Sequence, residues 1–356
     1  MAVGCLDKVI GTMRRLYIHC GLAKTGTTSL QDYLYRRKVQ LRALGYDYTS
    51  IGINSGRNAQ HNFAFEMLED RRFDPSAGAA IDLLSYCRGA ERAPNILISS
   101  ESFAVAFVKD GTRERFLSFL HAARGLNDDV YVVFTFRSFW RRMESAYFED
   151  LKIGRQVQPL RWHVENNKRW LANFLRQMDQ LLNVIGADRI LALDVETETK
   201  DSISAVLSSI GLREDQLPRR RKHNLNVRLS LKKAAYLHLL QYDADGSFKN
   251  QTAADPFSIV RAIRDTPPLP NDTLDYRMFP AELANEIQEF ARAALPSFLH
   301  EKLWKLTEPE TTEFDVINLA EVQLTEEDDR IINAAILAHH DKTRQPQFME
   351  QLPSKK

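Results

Sequence analysis

The chain has 356 residues, of which 44% are hydrophobic and 27% charged, and its formal net charge is +1. That length suffices for one large core, or for a core with a helical appendage. The near-neutral charge excludes a global field that would attract nucleic acid or an anionic membrane, so we expect no nucleic-acid partner, and any anion site must come from locally placed basic residues.

Cysteine usage and the start of the chain indicate the compartment. Cys5, Cys20 and Cys87 are scattered, and their spacing fits neither a disulfide framework nor a zinc site. The stretch 1–20 holds no apolar run long enough for a signal sequence or a spanning helix. We therefore expect a cytoplasmic chain without a transmembrane segment. A homodimer is a further expectation, based only on how common symmetric dimers are.

Short apolar runs predict four strands, and helical patterns lie between them. The predicted strands cover 16–20, 95–101, 130–136 and 189–195. The predicted helices cover 28–44, 61–71, 81–87, 113–123, 139–152, 166–184 and 202–210. Because strands alternate with helices, we expect an α/β fold of three layers with a central parallel sheet flanked by helices. Ligands of such sheets bind at the carboxyl ends of the strands.

The pattern loosens from about residue 212. The run 219–222 is a basic cluster, and 243–275 is rich in Asp, Pro and Gly, which predicts an exposed loop. Helical patterns return at 281–294 and 326–339. We therefore expect a mostly helical C-terminal extension.

The stretch HCGLAKTGTTSL follows the first predicted strand and makes the fold P-loop-like. It has the glycine spacing of a phosphate-binding loop, from Gly21 to Gly26. A strand, a glycine-bounded loop and a helix N-terminus gather several backbone N–H groups and partial positive charge around one point, which predicts an anion pocket. The lysine of an ATP-binding loop follows the second glycine. Thr27 stands there instead, and Lys24 lies inside the loop, where it could reach the leaving side of a group-transfer reaction.

A second candidate anion site follows the third predicted strand. Arg137 comes directly after that strand, and Ser145 lies eight residues later, in the next predicted helix. A short turn plus about two helical turns would return the hydroxyl to the side of the guanidinium. The two groups could then share one phosphate.

Both motifs resemble those of the sulfotransferases that use 3′-phosphoadenosine 5′-phosphosulfate (PAPS). The loop pattern of that family matches Lys24-Thr25-Gly26-Thr27-Thr28, and Ser29-Leu30-Gln31 is similar to its bacterial members. The resemblance spans roughly 14–230. It implies that the loop from Gly21 binds the 5′-phosphosulfate, that Arg137 and Ser145 bind the 3′-phosphate, and that the sulfuryl group moves in line to a hydroxyl or an amine without a metal.

The resemblance also implies a division of the chain and a class of acceptor. We expect a PAPS-binding core over 14–230, a helical region over 231–340 packed on the core and related to the acceptor, and a tail over 341–356. Many members of the family close an arginine-rich loop on the 3′-phosphate; 219–222 is the best candidate, although it lacks the glycine that usually follows. The likeness to bacterial members favours a glycan or a glycolipid precursor as the acceptor.

Sulfuryl transfer to a hydroxyl needs a base, and members of this family use a glutamate or a histidine. Glu101 ends the second predicted strand, which fixes its direction and favours it slightly. His61 begins a predicted helix after the polar loop 50–60, and its ordinary pKa is better suited to neutral pH. One could act as the base while the other orients the acceptor. Each also has a structural alternative, Glu101 as an acid at a helix N-terminus and His61 as a polar residue at a helix start.

Two other functions remain open at this point. A nucleotide-dependent phosphotransferase would need a magnesium ligand and a lysine after Gly26, and the second requirement is not met. A binding module that senses the nucleotide without chemistry would tolerate replacement of Lys24, Glu101 and His61.

Overall fold

The structure is a computed structural model, and it divides the chain into two compact units. It describes residues 13–89, 92–153, 159–196, 201–218, 229–241, 256–274, 276–309 and 316–349. The first unit comprises Met1–Phe139, Arg169–Leu225 and Phe290–Glu308, and the second comprises Trp140–Lys168, Asn226–Glu289 and Pro309–Lys356. The predicted division into core, C-terminal region and tail stays a prediction, and the basic cluster 219–222 lies outside the described residues.

A parallel sheet of five strands forms the centre of the first unit, in the order β2-β3-β1-β4-β5. The strands are β1 (Arg15–His19), β2 (Tyr46–Tyr48), β3 (Asn95–Ser99), β4 (Asp129–Phe136) and β5 (Ile190–Asp194). The α/β class and the central parallel sheet are therefore confirmed. The edge strand β2 is absent from the prediction, because its three residues are too few to show an alternating pattern.

Helices fill the connections between the strands and continue through the C-terminal part of the chain. Up to β5 they are α1 (Thr27–Arg36), α2 (Lys38–Ala43), α3 (His61–Met67), α4 (Ala80–Arg88), α5 (Ser102–Val108), α6 (Arg113–Arg124), α7 (Phe139–Lys152) and α8 (Leu160–Ile185). After β5 they are α9 (Ser202–Ser209), α10 (Leu231–Gln241), α11 (Pro256–Asp265), α12 (Ala281–Ala294), α13 (Ser297–Leu303) and α14 (Glu326–Met349).

Several predicted helices and one predicted loop need correction. The single helix expected over 28–44 breaks at Arg37, where φ is −116° and ψ is 15°, so α1 and α2 are separate. The loop expected over 243–275 contains α11, because Val260 and Ile263 bury one face of that segment. Helix α14 passes the predicted end at residue 339 and takes in the first part of the predicted tail.

The two faces of the sheet carry different cores, because successive strand residues point to opposite sides. On one face, Tyr17, Leu97 and Val133 belong to a buried cluster that includes side chains of α1 and α9. On the other face, the ring of Phe134 lies 6.5 Å from Phe107 and 5.3 Å from Phe174, on α5 and α8. This alternation decides which face receives the last polar residue of each strand.

The strand order creates a crevice at the carboxyl end of the sheet. The chain leaves β1 toward β2 and β3 on one side, whereas it leaves β4 toward β5 on the other. Connections that diverge from neighbouring strands leave a gap between them, and ligands of parallel sheets bind in such gaps. The loop after β1 and the turn after β4 therefore flank the expected binding place.

The second unit is built around helices α7, α10, α11 and α14. The rings of Phe148 and Tyr276 meet edge to face, with centroids 5.3 Å apart, and Lys232 pairs with the buried Asp328 at 2.8 Å. This unit also contains a largely apolar cavity of about 390 Å³, whose walls include Tyr147 and Met278. None of the described helices is both long and apolar enough to cross a membrane.

Candidate functional site

The loop between β1 and α1 has the backbone geometry of an anion cradle. Lys24 and Gly26 both adopt left-handed conformations, with φ of 73° and 83°, and they turn the chain sharply into α1. Among the described residues, no side chain caps the N-terminus of α1, and its first turn contains no acid. The first N–H groups of a helix lack partners within the helix, so this end can hold a phosphate or sulfate group.

Gly21 is required by close packing rather than by backbone strain. A Cβ atom at this position would lie 2.3 Å from Cγ2 of Thr27 and 2.7 Å from Cε1 of His19. The ring of His19 therefore lies directly against the start of the loop, and the buried Thr27 closes on it from the first turn of α1. Thr28 is exposed in that same turn.

We expect Gly21→Ala to lower the free energy of unfolding by about 1–3 kcal/mol, because the new methyl group overpacks a filled space. Denaturant unfolding measures the change. The double variant with Thr27→Ser, which lacks Cγ2, should recover part of the loss. Gly125→Ala is the control, since its Cβ would meet its nearest neighbour at 3.4 Å. An equal effect at both glycines would contradict the packing explanation.

Side chains from β4 and α9 hold the loop in place. Thr25 donates from Oγ1 to the carbonyl of Leu22 at 2.6 Å, and the same oxygen lies 2.8 Å from the hydroxyl of Thr135 on β4. Ser202, in the first turn of α9, donates to the carbonyl of Gly26 at 3.0 Å. The loop is thus fixed from beneath and from the side, which is the preorganisation that anion binding needs.

Arg137 lies beside the loop, as its place after β4 predicts. Its Nη1 donates to the carbonyl of Lys24 at 3.3 Å, and its Nη2 donates to Glu196 at 3.1 Å. Glu196 also accepts the backbone N–H of Ser138 at 2.9 Å. A guanidinium has five N–H donors, so these two contacts orient the group without exhausting its capacity.

Glu196 is a functional candidate that the sequence prediction does not include. It lies two residues after β5, at the same carboxyl edge as the loop and Arg137. The sequence does show an acid at the end of the fourth predicted strand. The pairing of that acid with Arg137, however, depends on the strand order of the folded sheet. Ser145 is half-buried on α7, in the second unit, and its sharing of a phosphate with Arg137 stays a prediction.

The structure brings the two base candidates together. Glu101 follows β3, and its Oε1 lies 3.9 Å from Nε2 of His61, while its Oε2 accepts from the amide of Gln31 at 2.8 Å. Although Glu101 stands at the N-cap of α5, the described contacts of that helix include no side-chain cap. The carboxylate therefore faces His61 and Gln31 instead of serving its own helix.

His61 is more deeply buried than Glu101. The exposed fraction of its side chain is 6%, against 32% for Glu101. Its Nδ1 lies 2.8 Å from the hydroxyl of Ser100. Burial lowers the pKa of His61, and the nearby Glu101 carboxylate opposes that shift. The ring is therefore neutral at neutral pH and is held in place, while the carboxylate is the more accessible group.

The neighbours of His61 fix its backbone. Gln60 exchanges contacts with Ser99 at the end of β3, since its side-chain oxygen accepts the N–H of Ser99 at 2.9 Å and its own N–H donates to the carbonyl of Ser99 at 3.0 Å. Asn62 donates to the carbonyls of Asp74 and Gly78 at 2.8 and 2.7 Å. The polar loop 50–60 is thus anchored at the sheet edge that carries Glu101.

Metal binding has no candidate in the described part of the chain. Its histidine, cysteine, aspartate and glutamate side chains form no group of three or more that could hold an ion. The expectation of a reaction without a metal stays a prediction.

Comparison with known proteins gives only weak structural similarity. No protein-family model and no curated protein matches the sequence. A search of solved structures finds the crystal structure of a sulfotransferase from Alicyclobacillus acidocaldarius, at 16% sequence identity and a TM-score of 0.37, covering 59% of this chain and 87% of that chain. A similarity at this level carries no argument about function, which must rest on the residues of this chain.

Proposed function

We propose that the chain transfers a sulfuryl group from PAPS to a hydroxyl or amine acceptor. The observation that supports this most is the placement of three groups at the carboxyl ends of three adjacent strands: the loop after β1, Arg137 after β4, and Glu101 after β3, where it lies beside His61. In the proposed reaction these groups act as a cradle for one anionic end of a donor, a guanidinium for a second phosphate and a base for the acceptor.

The donor side depends on the loop and on Lys24. The N–H groups around Gly26 and the N-terminus of α1 hold the phosphosulfate, and Thr25 keeps the loop in shape. When a sulfuryl group leaves, the bond between sulfur and the bridging oxygen breaks, and its electron pair stays on the phosphate. The ammonium of Lys24 stabilises that growing charge. Arg137, oriented by Glu196, binds the 3′-phosphate.

The acceptor side depends on Glu101. Its accessible carboxylate takes the proton of the acceptor hydroxyl while the acceptor oxygen bonds to sulfur. The buried His61 lies within 3.9 Å and orients the carboxylate together with Gln31. We assign the acceptor to glycans or glycolipid precursors, following the sequence resemblance to bacterial members of the family.

The phosphotransferase alternative fits these residues less well. The position after Gly26 is occupied by Thr27, which is buried against Gly21 and cannot serve as the cation that a γ-phosphate requires. A binding module without chemistry would have no use for a carboxylate and a histidine placed face to face beside the cradle. Titration of nucleotides separates the phosphotransferase from our proposal.

We expect isothermal titration to show clear binding of adenosine 3′,5′-bisphosphate without magnesium, and weak or no binding of ATP. Arg137→Gln should weaken bisphosphate binding about 10- to 100-fold, because a charge-assisted pair is lost. Binding of adenosine 5′-phosphate should change little, since it lacks the 3′-phosphate. Arg36→Gln, at the exposed end of α1, is the matched control. Stronger binding of ATP with magnesium would refute the proposed function.

A further inference from the structure

A continuous chain of hydrogen bonds, buried except at its Glu101 end, joins the candidate base to the anion loop, and His19 lies at its centre. Nδ1 of His19 lies 2.7 Å from the hydroxyl of Ser99, and Nε2 lies 3.3 Å from the hydroxyl of Thr135. Beyond Ser99, the amide nitrogen of Gln31 lies 3.3 Å from that hydroxyl and 2.8 Å from the carboxylate of Glu101. Beyond Thr135, the chain passes through Thr25 to the carbonyl of Leu22.

Counting protons sets the direction of every bond on the loop side. The hydroxyl of Thr25 has one proton, which it donates to the carbonyl of Leu22 at 2.6 Å. Thr25 must therefore accept from the hydroxyl of Thr135, 2.8 Å away. Thr135 has then used its own proton and must accept from His19. It follows that Nε2 of His19 carries a proton.

The protonation state of His19 also fixes the bond directions on the side that leads to Glu101. Burial lowers the pKa of His19 to about 4, so the ring is neutral near pH 7 and has one N–H. Since that proton is on Nε2, Nδ1 is an acceptor, and Ser99 donates to it. The oxygen of Ser99 then accepts from Gln31, whose second amide proton goes to the carboxylate of Glu101. All bonds are satisfied in this one arrangement, and no group has a proton to spare.

The strands explain why these residues meet. His19, Ser99 and Thr135 lie on β1, β3 and β4, each two residues after Tyr17, Leu97 and Val133, respectively. Side chains two residues apart share a face, so the three polar groups lie on the same side of the sheet as that apolar cluster. Each of the three is fully buried, with an exposed fraction of 0%. Water therefore does not replace a partner that is lost.

We propose that His19 is a positioning residue that couples the shape of the anion loop to the orientation of the Glu101 carboxylate. The inference rests on the proposed function for the roles of the two ends, but the chain itself is a property of the fold. Its Nε2–H holds Thr135 and thereby Thr25 in the loop. Its Nδ1 holds Ser99 and thereby Gln31, which keeps the carboxylate turned toward the site.

Two substitutions of His19 each break the hydrogen-bond chain on one side of the ring. Asparagine places its polar atoms near the position of Nδ1, so His19→Asn keeps an acceptor for Ser99 and loses the donor to Thr135. Glutamine reaches the position of Nε2, so His19→Gln keeps the donor to Thr135 and loses the acceptor for Ser99. Each variant therefore cuts one branch and leaves the other in place.

The expected results differ between the two variants. His19→Asn should raise the dissociation constant of adenosine 3′,5′-bisphosphate about five- to tenfold, the effect of one lost hydrogen bond, with kcat little changed. His19→Gln should lower kcat by a similar factor and leave bisphosphate binding as in the wild type. Thr135→Val should reproduce the first result and Ser99→Ala the second. Combining His19→Asn with Thr135→Val should add no further loss.

A nitrogen-15 spectrum of the histidine rings tests the chain without any nucleotide or turnover. The signals missing from the spectrum of His19→Asn identify His19. We expect them to show a neutral ring with its proton on Nε2 at pH 7. A proton on Nδ1, or a charged ring, would overturn the proposal, whatever the variants do to binding and rate.

The binding and rate measurements distinguish failure of the proposed function from failure of the His19 inference. If the wild type neither binds the bisphosphate nor transfers a sulfuryl group, the proposed function is wrong. The nitrogen-15 spectrum still tests the hydrogen-bond chain through His19 in that case. If the wild type is active but both His19 variants lose binding and rate alike, in proportion to their loss of stability, the residue is structural only and the inference is wrong. Unchanged binding and unchanged kcat in both variants would also overturn it.

Discussion

Replacing Lys24 with glycine should leave a folded protein and reduce kcat about 100- to 1000-fold, the loss typical when one group that stabilises a leaving charge is removed. Lys24 has φ of 73°, a left-handed conformation that disfavours any residue with a Cβ atom. Glycine at this position would relieve that backbone strain, which costs about 1 kcal/mol. The protein nevertheless has lysine there. Strain of this kind is commonly retained where a side chain has a function.

The measurement pairs single-turnover rates with denaturant unfolding. We expect Lys24→Gly to be at least as stable as the wild type, so that lost activity cannot be attributed to unfolding. Glu69 provides a matched control, because it is also a left-handed residue, with φ of 51°, but lies at the far end of α3 from His61. Glu69→Gly should gain similar stability and keep full turnover. Full turnover in Lys24→Gly would show that another group stabilises the leaving phosphate.

The second large effect is expected at the base. Glu101→Gln should reduce kcat about 100- to 10,000-fold, the range that a positioned general base contributes. The amide has the shape of the carboxylate and can still accept from Gln31, so the site should keep its geometry and its affinity for the bisphosphate. Glu114→Gln, at an exposed glutamate of α6, should have no effect.

His61→Asn should have a smaller effect on kcat, about tenfold, because it removes a neighbour of the base and not the base itself. Burial lowers the pKa of His61, so a ring acting as the base would become protonated, and turnover would fall, only as the pH drops below the ordinary value of 6.5. If turnover of His61→Asn no longer falls at low pH, and Glu101→Gln has normal turnover, then His61 is the base and Glu101 is its neighbour. Wild-type activity in both variants would exclude both residues.

Much of the fold follows from local patterns. The apolar runs before Gly21 and Arg137 place β1 and β4 correctly, because a buried parallel strand is a continuous apolar stretch. The limits of α7 and α12 agree with the prediction to the residue. The break at Arg37 escapes such reasoning, since neither glycine nor proline marks it.

The sequence by itself predicts which kinds of groups lie at the candidate site. The glycines at 21 and 26, the lysine between them, and the acid and arginine that follow strands are local features, and their order alone predicts an anion loop and a base. Only the tertiary structure decides which side chains act together. Glu196 meets Arg137, and Gln31 meets Glu101, because strand order and parallel register bring distant segments to one edge.

The hydrogen-bond chain through His19 is the clearest case of side chains that only the tertiary structure brings together. A histidine, a serine and a threonine near the ends of three strands are ordinary in a sequence, and each alone is consistent with a buried polar residue that has found one partner. They can form one hydrogen-bond chain only because the order β3-β1-β4 makes the three strands neighbours and places the three side chains on one face. Hydrogen bonds act over about 3 Å, so only the packed sheet can form them.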